Sequence, residues 1–135
     1  MKHNRCKGFA IVFAVALMVG LAATAHAEDH ACSMARSAGK WSFTDSGTVI
    51  GVGPRTAVGV FTLDGNGNVV DASATSSLNG SIAVETFSGT YTVNSDCTGT
   101  VSVTIYASGV AVLNLTMNTA FDDCMRQMRG LFTLL

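Results

Sequence analysis

The sequence predicts an all-β protein: a single small antiparallel β-barrel of about eight strands, with a β-sandwich as the alternative architecture. Polar and apolar residues alternate in several short segments, most regularly over 100–106, which is typical of half-buried strands. Turn sequences rich in Gly, Asn and Asp separate these segments at short, even intervals, as in barrels and sandwiches. A barrel is favoured because closure leaves no unpaired edge strand.

The first 27 residues predict a helical signal peptide. Positive charges at Lys2, Arg5 and Lys7 precede an uncharged apolar run over 8–25, and Ala25 and Ala27 fit an A-x-A cleavage site. A retained membrane anchor is the alternative, since the run is just long enough to span a bilayer. Cleavage after Ala27 is favoured, so we expect a secreted or periplasmic protein with no membrane insertion afterwards.

The remaining chain, 28–135, has a length that suits one domain. We divide it into an N-terminal arm over 28–38 and a barrel domain over 39–135. Removing the leader with its three basic residues leaves five basic residues against nine acidic ones, a net charge of −4. Such a balance excludes the basic surface that nucleic-acid binding requires.

Alternation and turn residues place the strands. The predicted strand segments are 40–44, 57–63, 68–77, 81–87, 90–93, 100–106, 110–117 and 128–134. A brief apolar stretch over 49–52 is ended by Pro54, and Gly89 separates two of the segments. Hairpin turns are predicted at 64–67, at Asn79-Gly80 and at Gly109, because Gly and Asn tolerate positive φ angles.

Both ends of the barrel domain allow two interpretations. Residues 28–38 form either one helical turn or a loose arm. Residues 122–129 form either a short helix capped by Asp122 or a turn before a final strand. The strand is favoured because Gly130 and Thr133 are poor helix formers.

Three cysteines remain after cleavage, since Cys6 belongs to the leader. One disulfide and one leftover thiol are therefore expected in an oxidising compartment. The pair Cys32–Cys97 is favoured because Cys97 lies in a tight polar turn and Cys32 lies in an arm that needs fixing. Cys32–Cys124 is the main competitor, and the third thiol could also join two chains.

Three segments carry a resemblance to a known group of proteins. They are GKWSFT at 39–44, GVFTLDGNGN at 59–68 and, most specifically, GTYTVNSDCTGT at 89–100. The chain resembles small secreted bacterial proteins of unassigned function, with barrels of the allene oxide cyclase-like or calycin type. The resemblance implies the barrel fold and export, and it supplies no catalytic residue.

Candidate catalytic groups are scarce. His30 is the one histidine after cleavage, so no Ser-His-Asp or Cys-His set is expected. Glu85 is the single, weak catalytic candidate, because it shares a strand face with Ala83 and Phe87 and should point into an apolar region. Its candidate partners are Arg55 and Arg126. The alternative is an exposed strand carboxylate or a structural salt bridge.

A pocket for an apolar ligand is the other candidate site. Its candidate lining residues are Trp41, Tyr91, Tyr106, Glu85 and Arg55; the alternative is that the aromatic residues only fill the core. No cofactor and no metal site are expected. The segment 64–68 resembles the start of a calcium loop, but Val69 and Thr75 stand where that loop needs Gly and Glu.

Three functions therefore remain open. The leading hypothesis is a secreted, non-enzymatic barrel that binds a small apolar ligand or acts as an extracellular interaction module. The second is an isomerase or cyclase-like enzyme acting on a hydrophobic substrate, and the third is a structural envelope protein. A pocket with Glu85 and an Arg would favour the enzyme, an apolar cavity without ionisable groups the carrier, and a filled interior the structural role. The oligomeric state is left open.

Overall fold

The computed structural model describes residues 31–134, without the side chain of Leu134. Seven antiparallel strands form one sheet in which each strand pairs with the next along the chain, and the sheet curls into a half-barrel. The strands are β1 (Gly39–Val49), β2 (Gly53–Leu63), β3 (Asn68–Leu78), β4 (Ser81–Val93), β5 (Thr98–Ala107), β6 (Val110–Phe121) and β7 (Met128–Leu134). One helical turn, α1 (Met34–Ser37), precedes them. The predicted signal peptide lies outside the described residues.

The all-β antiparallel prediction is confirmed, and the strand number is seven instead of about eight. The apolar stretch over 49–52 forms the β1–β2 turn, in which the amide of Val52 donates to the carbonyl of Val49 at 3.0 Å. Because the number of strands is odd, β1 and β7 run in the same direction. No ladder joins these two edges within residues 31–134, so the sheet is an open half-barrel where a closed barrel was expected.

Gly89 does not end a strand, contrary to the sequence-based prediction. β4 continues through it and pairs with β5 on both sides. A Cβ atom at this position would overlap the carbonyl oxygen of Ser102 and lie 2.8 Å from the Cα atom of Val103. The glycine therefore permits a close approach between two central strands, which is another reason for glycine in a strand.

The predicted tight turns are present. Asn79 and Gly80 both have positive φ, as do Ser108 and Gly109, which is the conformation of two-residue type I′ hairpins. A bulge that the alternation did not reveal lies at Asp71, whose φ is +48°. The bulge adds one residue to β3, so that Val69 and Ala72 both face the buried side although they are three residues apart.

The two ends of the sheet differ in their connections. The packed end carries the loops 64–67, 94–97 and 122–127, together with α1. The cavity end carries the turns 50–52, 79–80 and 108–109. At the packed end the side chains of Leu63 and Ser37 are almost completely buried.

A disulfide joins Cys32 to Cys97 across a sequence separation of 65 residues, with their Cα atoms 5.0 Å apart. This bond ties the N-terminal arm to the β4–β5 loop, as predicted. Cys32 is buried with Phe121 and Met125. Cys124 is also disulfide-bonded, so the expected leftover thiol does not occur among the described residues.

The final strand is confirmed as β7. The segment before it is a turn, because the Asp122 carboxylate accepts from the amides of Arg126 at 2.7 Å and Gln127 at 3.0 Å. The arm likewise contains the one helical turn that was considered, with Ser33 accepting from the amide of Arg36 at its start.

Candidate functional site

Four neighbouring strands, β1 to β4, bring one cluster of polar and ionisable side chains to the concave face. Arg55 lies at the start of β2, opposite Gly47 of β1 and Leu78 of β3. Glu85 lies on β4, opposite Ala74. Successive strand residues point to opposite faces, so Arg55 and Glu85 share the face that also holds the buried Ala57, Ala74 and Ser76. We call Asp45, Arg55, Ser76 and Glu85 the polar cluster.

Arg55 is at the centre of the polar cluster. Its Nη1 atom donates to both carboxylate oxygens of Asp45, at 2.8 and 2.6 Å. Its Nη2 atom donates to Oε2 of Glu85 at 2.7 Å. Ser76 completes the cluster by donating from Oγ to Oε1 of Glu85 at 2.7 Å. Both oxygens of each carboxylate therefore accept at least one hydrogen bond.

The cluster is nearly shielded from water. Arg55 is 7% exposed, Glu85 8% and Ser76 2%, and the Asp45 side chain is 14% exposed. Burying a charge is unfavourable unless the charge is paired and hydrogen-bonded. The short contacts to Arg55 supply that pairing for both acids, so loss of Arg55 would leave two nearly buried carboxylates without a partner.

A cavity of about 350 Å³ opens beside the polar cluster, inside the curl of the sheet. Its wall includes Asp45, Arg55 and Glu85, and side chains from all seven strands contribute to it. Among the apolar members, Phe43, Phe61 and Phe87 pack on one another with ring centroids 5.6–6.3 Å apart. The site is therefore an apolar space with one ionised region in its wall.

Trp41 and Tyr91 lie elsewhere, at the packed end. The indole Nε1 of Trp41 donates to the carbonyl of Ser37 at 2.9 Å, and its ring meets Phe121 edge-on with centroids 5.9 Å apart. Tyr91 is 3% exposed, and its hydroxyl is 3.4 Å from both Ser37 Oγ and the Met34 carbonyl. Both side chains hold the N-terminal arm against the sheet and do not line the cavity.

Tyr106 is placed on the opposite face. It pairs with Thr86 and Ala111, both of which are exposed, while its neighbour Ile105 is buried and lines the cavity. Of the five candidate ligand-binding residues, the structure thus brings Arg55 and Glu85 together in the cavity wall. The other candidate partner of Glu85, Arg126, lies in the β6–β7 loop at the packed end and is exposed.

Sequence reasoning missed Asp45 and Ser76. The signal for Asp45 was present, because the alternation from Trp41 through Phe43 continues to position 45 and predicts an inward acid. The signal for Ser76 was weak, since the bulge at Asp71 shifts the inward positions of β3 by one residue. A serine among many serines and threonines in this strand gives no further indication.

No group of three His, Cys, Asp or Glu side chains that could hold a metal ion occurs among residues 31–134. The Asp64 carboxylate instead accepts from the amides of Asn66 at 2.7 Å and Asn68 at 3.0 Å. Hydrogen bonds from the Asn68 side chain, then from these amides, lower the pKa of Asp64 below its usual 3.8. Asp64 therefore shapes the β2–β3 loop.

Comparisons with known proteins identify no relative. The chain matches no family model, and no curated protein or solved structure is significantly similar to it. Within the described part of the chain, no helix has the length and apolar character needed to cross a membrane.

Proposed function

We propose that this chain is a secreted or periplasmic protein that binds one small apolar ligand in the concavity of its sheet. The observation that carries the proposal is the cavity of about 350 Å³ whose wall is mostly aliphatic and aromatic. That volume falls within the range of about 300–1,000 Å³ that is typical of small-molecule sites. A small curled sheet that is not filled by its own side chains suits one small ligand.

The disulfide supports an extracytoplasmic location. Cys32–Cys97 is buried at Cys32 and closes a long loop, and structural disulfides form and persist in oxidising compartments. The signal peptide over 1–27, with cleavage after Ala27, remains part of the proposal. The resemblance to small secreted barrel proteins of the allene oxide cyclase-like or calycin type also remains a proposal.

An isomerase or cyclase-like enzyme is the second candidate, and one observation favours it: Glu85 and Arg55 both line the cavity. A general acid or base must reach the substrate proton within hydrogen-bond distance. Here Oε1 of Glu85 accepts from Ser76 and Oε2 accepts from Arg55, so its carboxylate already serves the polar cluster. Because both oxygens of the Glu85 carboxylate are already hydrogen-bonded, ligand binding is favoured over proton transfer. The unfilled interior gives no support to a purely structural role.

The experiment is a titration with a neutral, environment-sensitive apolar dye, N-phenyl-1-naphthylamine. We expect saturable fluorescence enhancement with one site per chain. Val103→Phe, which places an aromatic ring in the cavity wall in place of the valine side chain, should weaken dye binding at least about tenfold, because the apolar space is then occupied. Absence of saturable binding by the wild-type protein would overturn the proposal.

The matched control is Ser102→Phe. Ser102 precedes Val103 on β5 and is exposed on the opposite face. The same ring added there should leave dye affinity unchanged. Thermal unfolding of both variants shows whether they fold, and a cavity-enlarging variant, Phe87→Ala, gives a second measurement if Val103→Phe does not fold. Equal weakening by Val103→Phe and Ser102→Phe would count against the cavity as the binding site.

A further inference from the structure

The polar cluster is not electrically balanced. It contains two carboxylates, Asp45 and Glu85, and one guanidinium, Arg55. With all three groups ionised, the cluster carries a formal charge of −1. Asp45, Arg55 and Glu85 are the three ionisable groups among the described residues that line the cavity, so the wall provides no second cation.

The surplus charge faces an apolar space. In a low-dielectric environment an uncompensated carboxylate attracts a cation or a hydrogen-bond donor far more strongly than in water. An anion in the same place would meet two carboxylates. It would also find Arg55 engaged, because both terminal nitrogens of that side chain already donate to Asp45 and Glu85.

The aromatic part of the wall favours the same ligand charge. Phe43, Phe61 and Phe87 lie in the cavity wall together with Asp45 and Glu85, and Phe43 is two residues from Asp45 on the same face. The faces of aromatic rings are negative and attract cations within about 6 Å. The carboxylates and the ring faces therefore both favour a positively charged group on a ligand that fills the cavity.

We propose that the cavity selects an apolar ligand with a cationic, hydrogen-bond-donating end, of the alkylamine or arylamine class, and rejects the corresponding carboxylate. The apolar body lies among the phenylalanines, and the ammonium group donates to the carboxylates of the polar cluster. This inference rests on the proposed function, because it concerns the ligand class of the same cavity.

The test compares ligands that differ only at the polar end. Octylamine, 1-octanol and octanoate are titrated separately by calorimetry at pH 7 and low ionic strength. We expect octylamine to bind at least about tenfold more tightly than octanoate, with octanol between them, because charge complementarity separates otherwise equal chains. Octanoate binding as tightly as octylamine, or more tightly, would overturn the inference while leaving the proposed function intact. Failure of all three to bind while the dye binds would also overturn the inference alone, whereas failure of the dye as well would refute the proposed function.

Asp45→Asn and Asp71→Asn provide a matched pair of variants. Each removes one negative charge from the protein, but Asp45 lines the cavity and Asp71 is exposed on the β3 bulge, outside it. In Asp45→Asn the preference for octylamine over octanol should disappear. In Asp71→Asn the preference should be unchanged. If both variants reduce the preference equally, overall charge is responsible and the assignment to the polar cluster fails.

Glu85→Gln gives an independent variant, should Asp45→Asn fail to fold. It also leaves the cluster without surplus charge, and the amide keeps an oxygen to accept a hydrogen bond from Arg55. We expect the same loss of preference for the amine. A full preference in Glu85→Gln would contradict the proposal as directly as one in Asp45→Asn.

Discussion

The packed end and the cavity end are built from the same seven strands, yet they treat polar groups in opposite ways. At the packed end, neutral groups such as the Tyr91 hydroxyl and the Trp41 indole bond to α1, and the interior is filled. At the cavity end, charged groups meet in a wall beside empty space. Filling stabilises the fold, whereas the unfilled cavity end leaves room for the ligand that we propose.

The two ends also differ on their surfaces. The packed-end loops contain Asp64, Asp96 and Asp122, each of which accepts backbone hydrogen bonds within its own loop. The cavity-end turns contain no charged residue. Exposed apolar side chains lie in or next to these turns: Ile50, Ile82 and Val110. Local hydrogen bonding and the disulfide therefore hold the packed end, whereas β-hairpins and the polar cluster hold the cavity end.

Loss of Arg55 from the polar cluster should destabilise the protein more than any other change proposed below. Arg55→Met should lower the free energy of unfolding by about 3 kcal/mol or more, because two nearly buried carboxylates lose their partner. The triple variant Asp45→Asn, Arg55→Met, Glu85→Gln should recover most of that loss, since no uncompensated charge remains. Urea unfolding measures both. Equal destabilisation of the single and triple variants would show that packing by Arg55, and not its charge, stabilises the cavity end.

The disulfide comes next. Replacing Cys32 and Cys97 together by serine should lower the free energy of unfolding by about 2–4 kcal/mol, because the unfolded chain gains the entropy of an open loop. Dye affinity measured under folding conditions should be retained, because neither residue lines the cavity. Loss of dye binding in a variant that is still folded would mean that the packed end also shapes the cavity.

Two glycine-to-alanine substitutions test whether the backbone is packed more closely at the packed end than at the cavity end. In Gly99→Ala the new Cβ atom would overlap the carbonyl oxygen of Thr92 and lie 3.0 Å from Thr119 Oγ1, which should cost about 1–3 kcal/mol. Gly47, on β1 near the cavity end, has nothing within 4 Å of such an atom. Gly47→Ala should change stability by less than about 0.5 kcal/mol. Thermal unfolding measures the stability of both variants. Equal destabilisation would show that the two ends do not differ in backbone packing at these positions.

The stability of the packed end should depend weakly on pH, through three loop aspartates. Hydrogen bonds from Thr98 lower the pKa of Asp96, and the amide of Gln127, followed by that of Arg126, lowers the pKa of Asp122; Asp64 is lowered in the same way. Each ionised form therefore stabilises the fold above the usual value of 3.8, and this contribution is lost as the pH falls through the lower folded pKa. Carboxyl NMR titrations should give midpoints below 3.8 for all three; midpoints above it would refute the loop contacts.

Much of the fold could be predicted from local chemistry. The two-residue turns at Asn79-Gly80 and Gly109 and the final strand depend on short-range conformational preferences. Counting cysteines predicted a disulfide, but only the fold selects Cys32–Cys97 over Cys32–Cys124. The strand number could not be predicted as readily. Gly89 allows β4 and β5 to approach closely. The local sequence cannot distinguish this role from a turn, because the reason lies in the neighbouring strand.

The site was less accessible to sequence reasoning. Glu85 could be named because it shares a strand face with Ala83 and Phe87, and Arg55 could be named only as one of its two candidate partners. Their assembly with Asp45 depends on the β1–β2 register, which aligns Gly47 with Arg55, and on the inward positions that follow the bulge at Asp71. Aromatic character alone pointed to Trp41 and Tyr91, although their polar atoms serve the packed end.

The parallel direction of β1 and β7 has a consequence for ligand size. No ladder joins these edges in the described sheet, so the width of the space inside the curl is not fixed by a closed circle of backbone hydrogen bonds. A change in the curvature of the sheet widens or narrows the space between Phe43 on β1 and Phe132 on β7, both of which line it, without breaking a strand pair. We therefore expect the proposed site to accept apolar ligands of different bulk more readily than a closed barrel would.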